Sequence, residues 1–183
     1  WIIDPLDGTK SFIEGDTDFC VCIALACNKK PILGCIAHPP TRIIWAGGKK
    51  IKSYIKNKNN NFINISCRDI PTNGPVISIS KHHIGPKLEG WLSSIIYNKK
   101  QKIGSALKFT QIAEGKADVF PRTSPTYEWD SAAGQALVEG AGGYVTQMNN
   151  KDMIYGREDK MNPNFIAFGR PNRVNFLKEN ISG

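Results

Sequence analysis

The amino-acid sequence predicts an α/β (α+β) fold in which helices are layered on sheets. Strand-like and helix-like segments alternate along the chain, and no internal repeat or low-complexity tract interrupts them. The 183 residues, of which 40% are hydrophobic, suffice for one domain with a sizeable core. No apolar run approaches the roughly 18 residues that a membrane span requires.

The first part of the chain is rich in strand-like segments. "WIID" is typical of a short buried strand ending at Asp4, and "GTKSFIEG" of one or two helical turns. "FCVCIALACNKKPILGCIAHPP" contains two apolar runs joined by Asn-Lys-Lys-Pro, which predicts a hairpin. "RIIWAGG" and "SYIKNKNNNFINIS" indicate further antiparallel strands, and "PVISIS" indicates another strand.

The second part mixes helices and strands. "IGPKLEGWLSSIIYN" has helical spacing at Leu88, Trp91, Leu92 and Ile95. "SALKFTQIAEG" predicts a helix with Ser105 as candidate N-cap and Gly115 just past its end. "ADVFPR" predicts a strand, and "DSAAGQALVEGAGG" a helix whose small residues permit close packing. "YVTQM" and "FIAFG" are the predicted closing strands.

The formal net charge of +8 favours a polyanionic partner, which could be nucleic acid, an acidic membrane surface or a phosphorylated small molecule. Part of this excess lies in "KKIKSYIKNK", the lysine-rich segment 49–58. We interpret this segment as a solvated loop or edge hairpin. The alternative is that it binds nucleic acid in a non-catalytic or scaffold protein.

The five cysteines are expected to be reduced thiols, as is usual in the cytoplasm. They are odd in number, no two have CxxC spacing, and four lie in apolar strand-like text, where a free cysteine behaves as a small hydrophobe. A zinc site would need a second ligand pair. Zinc is therefore not expected here.

The hexad Asp-Pro-Leu-Asp-Gly-Thr at residues 4–9 carries the strongest chemical signal. A turn here can aim the carboxylates of Asp4 and Asp7 and the carbonyl of Leu6 at one point, and oxygen ligands suit Mg²⁺. The N–H groups of Gly8 and Thr9 at a helix start favour a phosphate oxygen. The alternative is an Asx-type turn without function, because Asp, Pro and Gly are common in turns.

Other candidates stand later in the chain. In "EWDSAAG", Asp130 could be a ligand or only a helix N-cap. In "GSALK" and "FPR", Ser105 could cap a helix, Lys108 could be solvated, and Arg122 could end a strand. Together these residues would supply donor and cationic groups for a phosphate-rich ligand, and arginine suits bidentate phosphate contact.

Two motifs together resemble the lithium-sensitive, Mg²⁺-dependent phosphatase superfamily that contains the inositol monophosphatases. They are "WIIDPLDGTKSFIEG" and "EWDSAAGQALVEGAGG", and the resemblance runs from Trp1 to about Phe168. "KPILGCIAHPP", "GSALKFTQIAEGKADVFPR" and "NPNFIAFG" resemble the CysQ branch, the 3'(2'),5'-bisphosphate nucleotidases.

The resemblance implies roles for particular residues. The metal ligands would be Asp4, Leu6 through its carbonyl, Asp7 and Asp130, and the catalytic residues would be Asp4, Asp7, Thr9 and Asp130. The substrate would be bound by Leu6, Gly8, Thr9, Lys10, His83, Ser105, Lys108, Arg122 and Asp130. His82 could equally take the place of His83, and either could be an ordinary surface histidine.

The same resemblance implies the layered α-β-α-β-α sandwich of the inositol monophosphatase and fructose-1,6-bisphosphatase type. Residues 1–183 would form the C-terminal two-thirds of one such phosphatase domain. An N-terminal part would add helices, strands, a glutamate ligand and the residues that activate water, so the chain alone is expected to be nearly inactive.

The implied activity is hydrolysis of the 3'-phosphate of adenosine 3',5'-bisphosphate in sulfur metabolism. An inositol- or sugar-phosphate phosphatase is the alternative of the same fold. The implied cofactor is Mg²⁺, two or three ions, with Mn²⁺ as a substitute and Li⁺ as an inhibitor. The expected protein is a cytoplasmic monomer or homodimer, at most peripheral at the inner membrane, whose partner is a phosphorylated nucleotide and not a nucleic acid.

Overall fold

Two sheets and four helices make up the part of the chain described by this computed structural model, which is residues 1–57, 59–82 and 84–170. The first sheet has six antiparallel strands in the order β1-β2-β3-β4-β5-β6. Its strands are β1 (Ile2–Asp7), β2 (Cys20–Cys27), β3 (Lys30–His38), β4 (Ile43–Gly48), β5 (Lys52–Lys56) and β6 (Phe62–Ile65). The strands predicted in this part of the sequence are all present.

The predicted hairpin is formed by β2 and β3, and its loop is tighter than expected. Only Asn28 and Lys29 lie between the strands, and both have positive φ, 49° and 64°. Positive φ at both central residues is the conformation of a two-residue type I′ turn, whose twist matches that of the strands. Lys30 and Pro31 therefore belong to β3 rather than to the loop.

The first strand continues past Asp4, where the sequence had predicted its end. Asp4 lies opposite Cys22 and Asp7 lies opposite Cys20, so three steps on β1 match two on β2. An extra residue on one strand is a β-bulge, which bends the strand and redirects its side chains. The irregularity thus falls within the acidic hexad itself.

The second sheet is mixed, with the strand order β10-β11-β9-β7-β8. Its strands are β7 (Val76–Ser80), β8 (Lys99–Ile103), β9 (Val119–Arg122), β10 (Tyr144–Gln147) and β11 (Phe165–Phe168). β7 pairs in parallel with β8 and with β9. Of the strands in the described residues, β8 alone was not predicted from the sequence, because "KKQKI" is an exposed, lysine-rich edge strand without an apolar face.

Helices α3 (Leu107–Ala113) and α4 (Glu128–Gly140) pack between the two sheets and share the main core with both. α2 (Pro86–Ser93) packs on the other face of the second sheet, against Ile77, Ile79 and Ile166. The short α1 (Thr9–Ile13) follows β1. The described residues therefore form four stacked layers, sheet, helices, sheet and helix, which fits the predicted layered α/β architecture.

The small residues of α4 allow the close packing that the sequence predicted. A side chain at Gly134 would place its Cβ 2.2 Å from the ring of Phe109 on α3, and one at Gly34 would lie 2.2 Å from the carbonyl oxygen of Ala133. A real Cβ cannot approach so closely. α4 is therefore seated against both α3 and the first sheet only because these positions lack side chains.

Three predicted helix details are wrong. Ser105 is not the N-cap of α3: it has a left-handed backbone, with φ 49°, and Ala106 takes that position. Asp130 is not the N-cap of α4 but the third residue of its first turn, and the N-cap is Tyr127. Ile95 is buried, but it lies beyond the end of α2 at Ser93.

The cysteines and lysines also have defined places. All five cysteines are free, and Cys20, Cys22 and Cys67 are buried. Lys49, Lys50 and Lys52 are exposed at the β4–β5 connection, as the predicted hairpin requires, whereas Lys58 lies outside the described residues. Among the described residues, no helix combines the length and the apolarity needed to cross a membrane.

Candidate active site

One cavity of about 300 Å³ lies where the ends of β1 and β9 meet the beginnings of α1, α3 and α4. This is the lower end of the size range of small-molecule sites. Its lining includes most of the residues that the sequence singled out, namely Asp7, Gly8, Thr9, Lys10, Ser105, Lys108, Arg122 and Asp130. The fold thus brings together segments that are far apart in the chain.

Three carboxylates meet beside this cavity. One oxygen each of Asp4, Asp7 and Asp130 lie within 4.8 Å of one another. Burial raises the pKa of Asp130 to about 6, and the charges of Asp7 and Asp4 add to this rise. Burial also raises the pKa of Asp7. Clustered, partly desolvated carboxylates repel each other, and a divalent cation between them would relieve that repulsion.

The Asp7 carboxylate is held in place by contacts with β2 and with the start of α3. Its Oδ2 accepts a hydrogen bond from the backbone N–H of Ala106 at the start of α3, and the thiol of Cys20 on β2 lies 3.7 Å from the same oxygen. Its negative charge also faces Lys108, which lowers the Asp7 pKa against the larger effect of burial. The carboxylate is therefore oriented before any ligand arrives.

The bulged hexad has its own hydrogen bonds. Asp4 Oδ1 accepts the backbone N–H of Leu6 at 3.0 Å, and the Thr9 hydroxyl donates to the carbonyl oxygen of Leu6 at 3.0 Å. The first bond is an Asx-type turn, so the alternative offered by the sequence is present in the same residues that converge with Asp130. The turn does not prevent Asp4 from acting as a metal ligand, because only Oδ1 accepts the Leu6 N–H and Oδ2 is left for a cation.

Gly8 is required by the backbone at this turn. Its φ is 89°, and a Cβ would lie 2.6 Å from the carbonyl oxygen of Asp18. Both the left-handed conformation and the close approach of another backbone favour glycine. Gly8 thereby brings the start of α1 against the segment that directly precedes β2.

Asp130 is held by its own helix. Its Oδ2 accepts the backbone N–H of Tyr127 at 2.7 Å, and the rings of Tyr127 and Trp129 stack with centroids 4.6 Å apart. One oxygen therefore caps the first turn of α4. The carboxylate thus stabilises the helix start from the third position of its first turn, without being the N-cap, and it also faces Asp7.

Lys108 is buried rather than solvated, with 4% of its surface exposed. Its ammonium donates to the carbonyl oxygens of Ile103, at 3.3 Å, and of Ser105. It also lies 5.1 Å from the centre of the Phe120 ring. Burial lowers the pKa of Lys108 to about 8, although the charge of Asp7 opposes this. The lysine thus braces the loop before α3 and keeps a positive charge near the cavity.

Arg122 ends β9 at the rim of the same cavity. Its Nη2 donates to the carbonyl of Pro125 at 3.4 Å, while its buried Nε has no hydrogen-bond partner among the described residues. A buried donor left without a partner costs free energy unless a ligand or water completes it. Burial lowers the pKa of Arg122, and the charges of Asp130 and Asp7 oppose that shift.

The remaining candidates are less constrained. Lys10 is exposed and lies 3.9 Å from Glu14. Ser105 Oγ accepts the backbone N–H of Leu107 at 3.4 Å. His83 lies outside the described residues, whereas His82 lines the cavity and its Nε2 is 3.2 Å from the hydroxyl of Ser11.

Asp18 was missed by the sequence analysis although it organises one wall of the site. Its Oδ2 accepts the backbone N–H of Gly104 at 2.9 Å and lies 3.3 Å from the ammonium of Lys81. The loop before α3 is thus tied to the segment after α1. No sequence pattern marks Asp18, because its partners are a backbone N–H and a lysine in distant segments.

The cavity is therefore lined by Asp7 and Asp130, which converge with Asp4, and also by Lys108 and Arg122. Carboxylate oxygens with the Leu6 carbonyl are ligands suited to a hard divalent cation. The basic side chains suit an anionic group such as a phosphate. The arrangement fits a site for a phosphorylated molecule held together with metal ions.

Comparison with known proteins agrees with this geometry. The model of the inositol monophosphatase family matches residues 1–175. The chain is 38% identical over 168 residues to the 3'(2'),5'-bisphosphate nucleotidase CysQ of Escherichia coli K12, which covers 90% of this chain and 66% of that protein. It is 36% identical over 174 residues to CysQ of Buchnera aphidicola from Acyrthosiphon pisum, covering 92% and 62%.

A solved structure shows the same fold. CysQ from Bacteroides thetaiotaomicron, a bacterial member of the inositol monophosphatase family, superposes with a TM-score of 0.84 at 30% identity, covering 93% of this chain and 69% of that one. The layered sandwich predicted from the sequence is thereby confirmed. The chain spans slightly less than two thirds of the length of the curated relatives named above.

Proposed function

Since this chain belongs to the inositol monophosphatase family, we propose that it carries the metal- and phosphate-binding site of a 3'(2'),5'-bisphosphate nucleotidase. The reaction would be hydrolysis of the 3'-phosphate of adenosine 3',5'-bisphosphate to AMP and phosphate. The observation that carries the proposal is the convergence of Asp4, Asp7 and Asp130 beside a cavity that Asp7, Asp130 and Arg122 line.

The proposed cofactor is Mg²⁺, in keeping with the metal dependence that is general in the family. Asp4, Asp7, Asp130 and the Leu6 carbonyl are the groups that would hold it. Their oxygen chemistry and their mutual repulsion fit a hard divalent cation. When bound, divalent cations supply positive charge that activates a water molecule and neutralises a phosphoryl group in transit.

The residues of the chain would orient the substrate. The Gly8 and Thr9 backbone N–H groups would hold the phosphate to be cleaved, and Thr9 is already fixed by its hydroxyl on Leu6. Arg122, whose buried Nε has no hydrogen-bond partner in the described part of the chain, would receive the second phosphate. Lys108 would attract the anionic substrate through its positive charge, while its ammonium stays hydrogen-bonded to backbone carbonyls.

In the proposed reaction, a water oxygen forms a bond to the phosphorus of the 3'-phosphate. The bond between that phosphorus and the ribose 3'-oxygen breaks, and the leaving oxygen takes up a proton. The products are AMP and inorganic phosphate. The preference for a bisphosphate nucleotide would come from its second phosphate, because a monophosphate has no second phosphate for Arg122 to bind.

The test is a comparison of substrates with the product of the complete open reading frame. Release of phosphate from adenosine 3',5'-bisphosphate and from inositol 1-phosphate is measured at fixed Mg²⁺, with chelator as a blank. We expect turnover of the bisphosphate to exceed that of inositol 1-phosphate and to disappear with chelator. AMP as the product, identified by chromatography, establishes which phosphate is removed.

Two outcomes would redirect the assignment. A preference for inositol 1-phosphate would favour an inositol- or sugar-phosphate phosphatase of the same family. Salt-dependent binding of nucleic acid without any phosphatase activity would favour a non-catalytic protein that uses the lysine-rich segment 49–58.

A further inference from the structure

A second cluster of ligand-type atoms lies on the buried side of Asp7. The sulfur atoms of Cys20 and Cys22 are 3.8 Å apart, and Cys20 Sγ is 3.7 Å from Asp7 Oδ2. Both thiols are buried, with exposures of 0% and 1%. One ligand atom from each of the three residues lies within 4.8 Å of the other two.

These separations match a tetrahedral site for a soft divalent cation. With zinc–sulfur bonds of about 2.3 Å and a tetrahedral angle, two sulfur ligands lie about 3.8 Å apart. With a zinc–oxygen bond of about 2.0 Å, a sulfur and an oxygen ligand lie about 3.5 Å apart. The observed distances need a shift of only a few tenths of an ångström at most for the two pairs measured.

We propose that Cys20, Cys22 and Asp7 form a binding site for a thiophilic divalent cation such as Zn²⁺ or Cd²⁺. Two thiolates and one carboxylate carry three negative charges, one more than is needed to neutralise a divalent cation. A water molecule would be the fourth ligand of the tetrahedron. Binding releases the two thiol protons, because the ligands of such an ion are thiolates. No oxidant or reductant takes part.

The sequence argued against a zinc site because it has no CxxC pair. That spacing applies to turns, whereas residues two apart on a β-strand point to the same face. Cys20 and Cys22 both face the interior from β2, and the bulge in β1 brings Asp7 opposite Cys20. Strand geometry thus replaces the turn that a CxxC motif provides.

The proposed soft-metal site shares Asp7 with the carboxylate cluster. Asp7 lines the cavity and also contacts Cys20, so it connects the buried thiols with solvent. Thiolates select soft cations, whereas Asp4 and Asp130 offer only oxygen. An ion bound to the thiols would share the charge of Asp7, and its positive charge would repel a second cation at the carboxylates. Binding at the thiols therefore weakens binding of Mg²⁺, so the two sites are antagonistic.

The test measures binding and does not depend on the proposed enzymatic activity. Reduced protein is titrated with Cd²⁺, and the ultraviolet sulfur-to-cadmium charge-transfer band is followed. We expect one high-affinity equivalent in the unmodified chain. Cys22→Ser should weaken it at least tenfold, and Asp7→Asn should weaken it less, because one of three ligands then loses its charge.

Two other cysteines supply matched controls. Cys67→Ser changes a buried thiol elsewhere in the core, and Cys27→Ser removes an exposed one. Both should leave the high-affinity equivalent intact. Loss of the band in Cys27→Ser with retention in Cys22→Ser would overturn the proposal, since Cd²⁺ would then bind a surface thiol.

A measurement on the unmodified chain covers the case in which Cys22→Ser does not fold. X-ray absorption of the one-equivalent Zn²⁺ complex should give two sulfur ligands, with the rest oxygen. A shell of oxygen and nitrogen alone, or a single sulfur, would contradict the site. Competition completes the test: one equivalent of Zn²⁺ should lower the apparent Mg²⁺ affinity of the unmodified chain and not that of Cys22→Ser.

Discussion

Asp7 accepts a hydrogen bond from the backbone N–H of Ala106, a residue 99 positions further along the chain. This bond joins the end of β1 in the first sheet to the start of α3 in the middle layer. It also orients a carboxylate that converges with those of Asp4 and Asp130. One buried carboxylate therefore both fastens two layers of the fold and faces the candidate metal site.

We predict that the carboxylate cluster binds Mg²⁺ through charge as well as geometry. Asp130→Asn and Asp7→Asn preserve the size and an accepting oxygen of each side chain but remove the charge. Losing one charge-assisted contact of about 1.5–3 kcal/mol should lower Mg²⁺ affinity about ten- to a hundredfold. Isothermal titration measures this. Asp152→Asn, which alters an exposed carboxylate paired with Lys30, is the control and should have no effect.

The metal-free chain should be more stable when Asp130 is made neutral. Because burial raises the folded-state pKa of Asp130 to about 6, its charged form costs stability, and that cost appears as the pH rises from about 4 to 6. Asp130→Asn keeps an oxygen for the Tyr127 N–H. In chelator at pH 7.5 it should raise the free energy of unfolding by about 1–2 kcal/mol after allowance for solvent screening.

Denaturant titrations at several pH values check this prediction. The difference between Asp130→Asn and the unmodified chain should vanish below about pH 3, where the carboxyl is protonated in both the folded and the unfolded chain. It should grow up to about pH 6 and then stay constant. A difference that is independent of pH would attribute the effect to helix capping instead.

Arg122 should matter for a bisphosphate and little for a monophosphate. Arg122→Ala removes a donor worth about 1.5–3 kcal/mol to a charged partner, so catalytic efficiency on adenosine 3',5'-bisphosphate should fall about ten- to a hundredfold. Turnover of inositol 1-phosphate, if measurable, should hardly change. Arg42→Ala, at an exposed position, is the control. Equal losses on both substrates would assign Arg122 to support of the fold.

Gly8→Ala should destabilise the chain by more than backbone strain alone. Residue 8 has φ 89°, and a new Cβ would meet the Asp18 carbonyl at 2.6 Å. Gly15→Ala is a matched control, because Gly15 has φ 74° but no atom within 4 Å of a new Cβ. Strain costs about 1–2 kcal/mol at either position, and the clash adds to it only at Gly8. Thermal unfolding should therefore rank the unmodified chain, Gly15→Ala and Gly8→Ala in decreasing order of stability.

The order and type of most elements could be read from the sequence. Two apolar runs joined by Asn-Lys-Lys-Pro predicted β2 and β3, and the small residues of "DSAAGQALVEGAGG" predicted a closely packed α4. The edge strand β8 could not be predicted, because its lysines face solvent and its pairing with β7 is made by backbone groups. The apolar pattern of a sequence indicates which segments are buried, so a strand that is exposed to solvent is hard to recognise from its residues.

The candidate site was predicted as a set of residues, but its internal connections were not. The hexad and the resemblance pointed to Asp4, Asp7 and Asp130. The partners that orient them, Ala106 and Tyr127, act through backbone N–H groups that any amino acid possesses. Residue type carries no information about such partners.

Residue types alone specify the chemical groups available to this protein: carboxylates in a tight turn, basic residues in a later segment, and small residues where helices approach closely. Which of these groups meet depends on the folded arrangement. It placed Lys108 under the loop rather than in solvent, and it brought two strand thiols against Asp7. The physical reason is that contacts between distant segments depend on sheet register and layer packing, which are settled by the whole core at once.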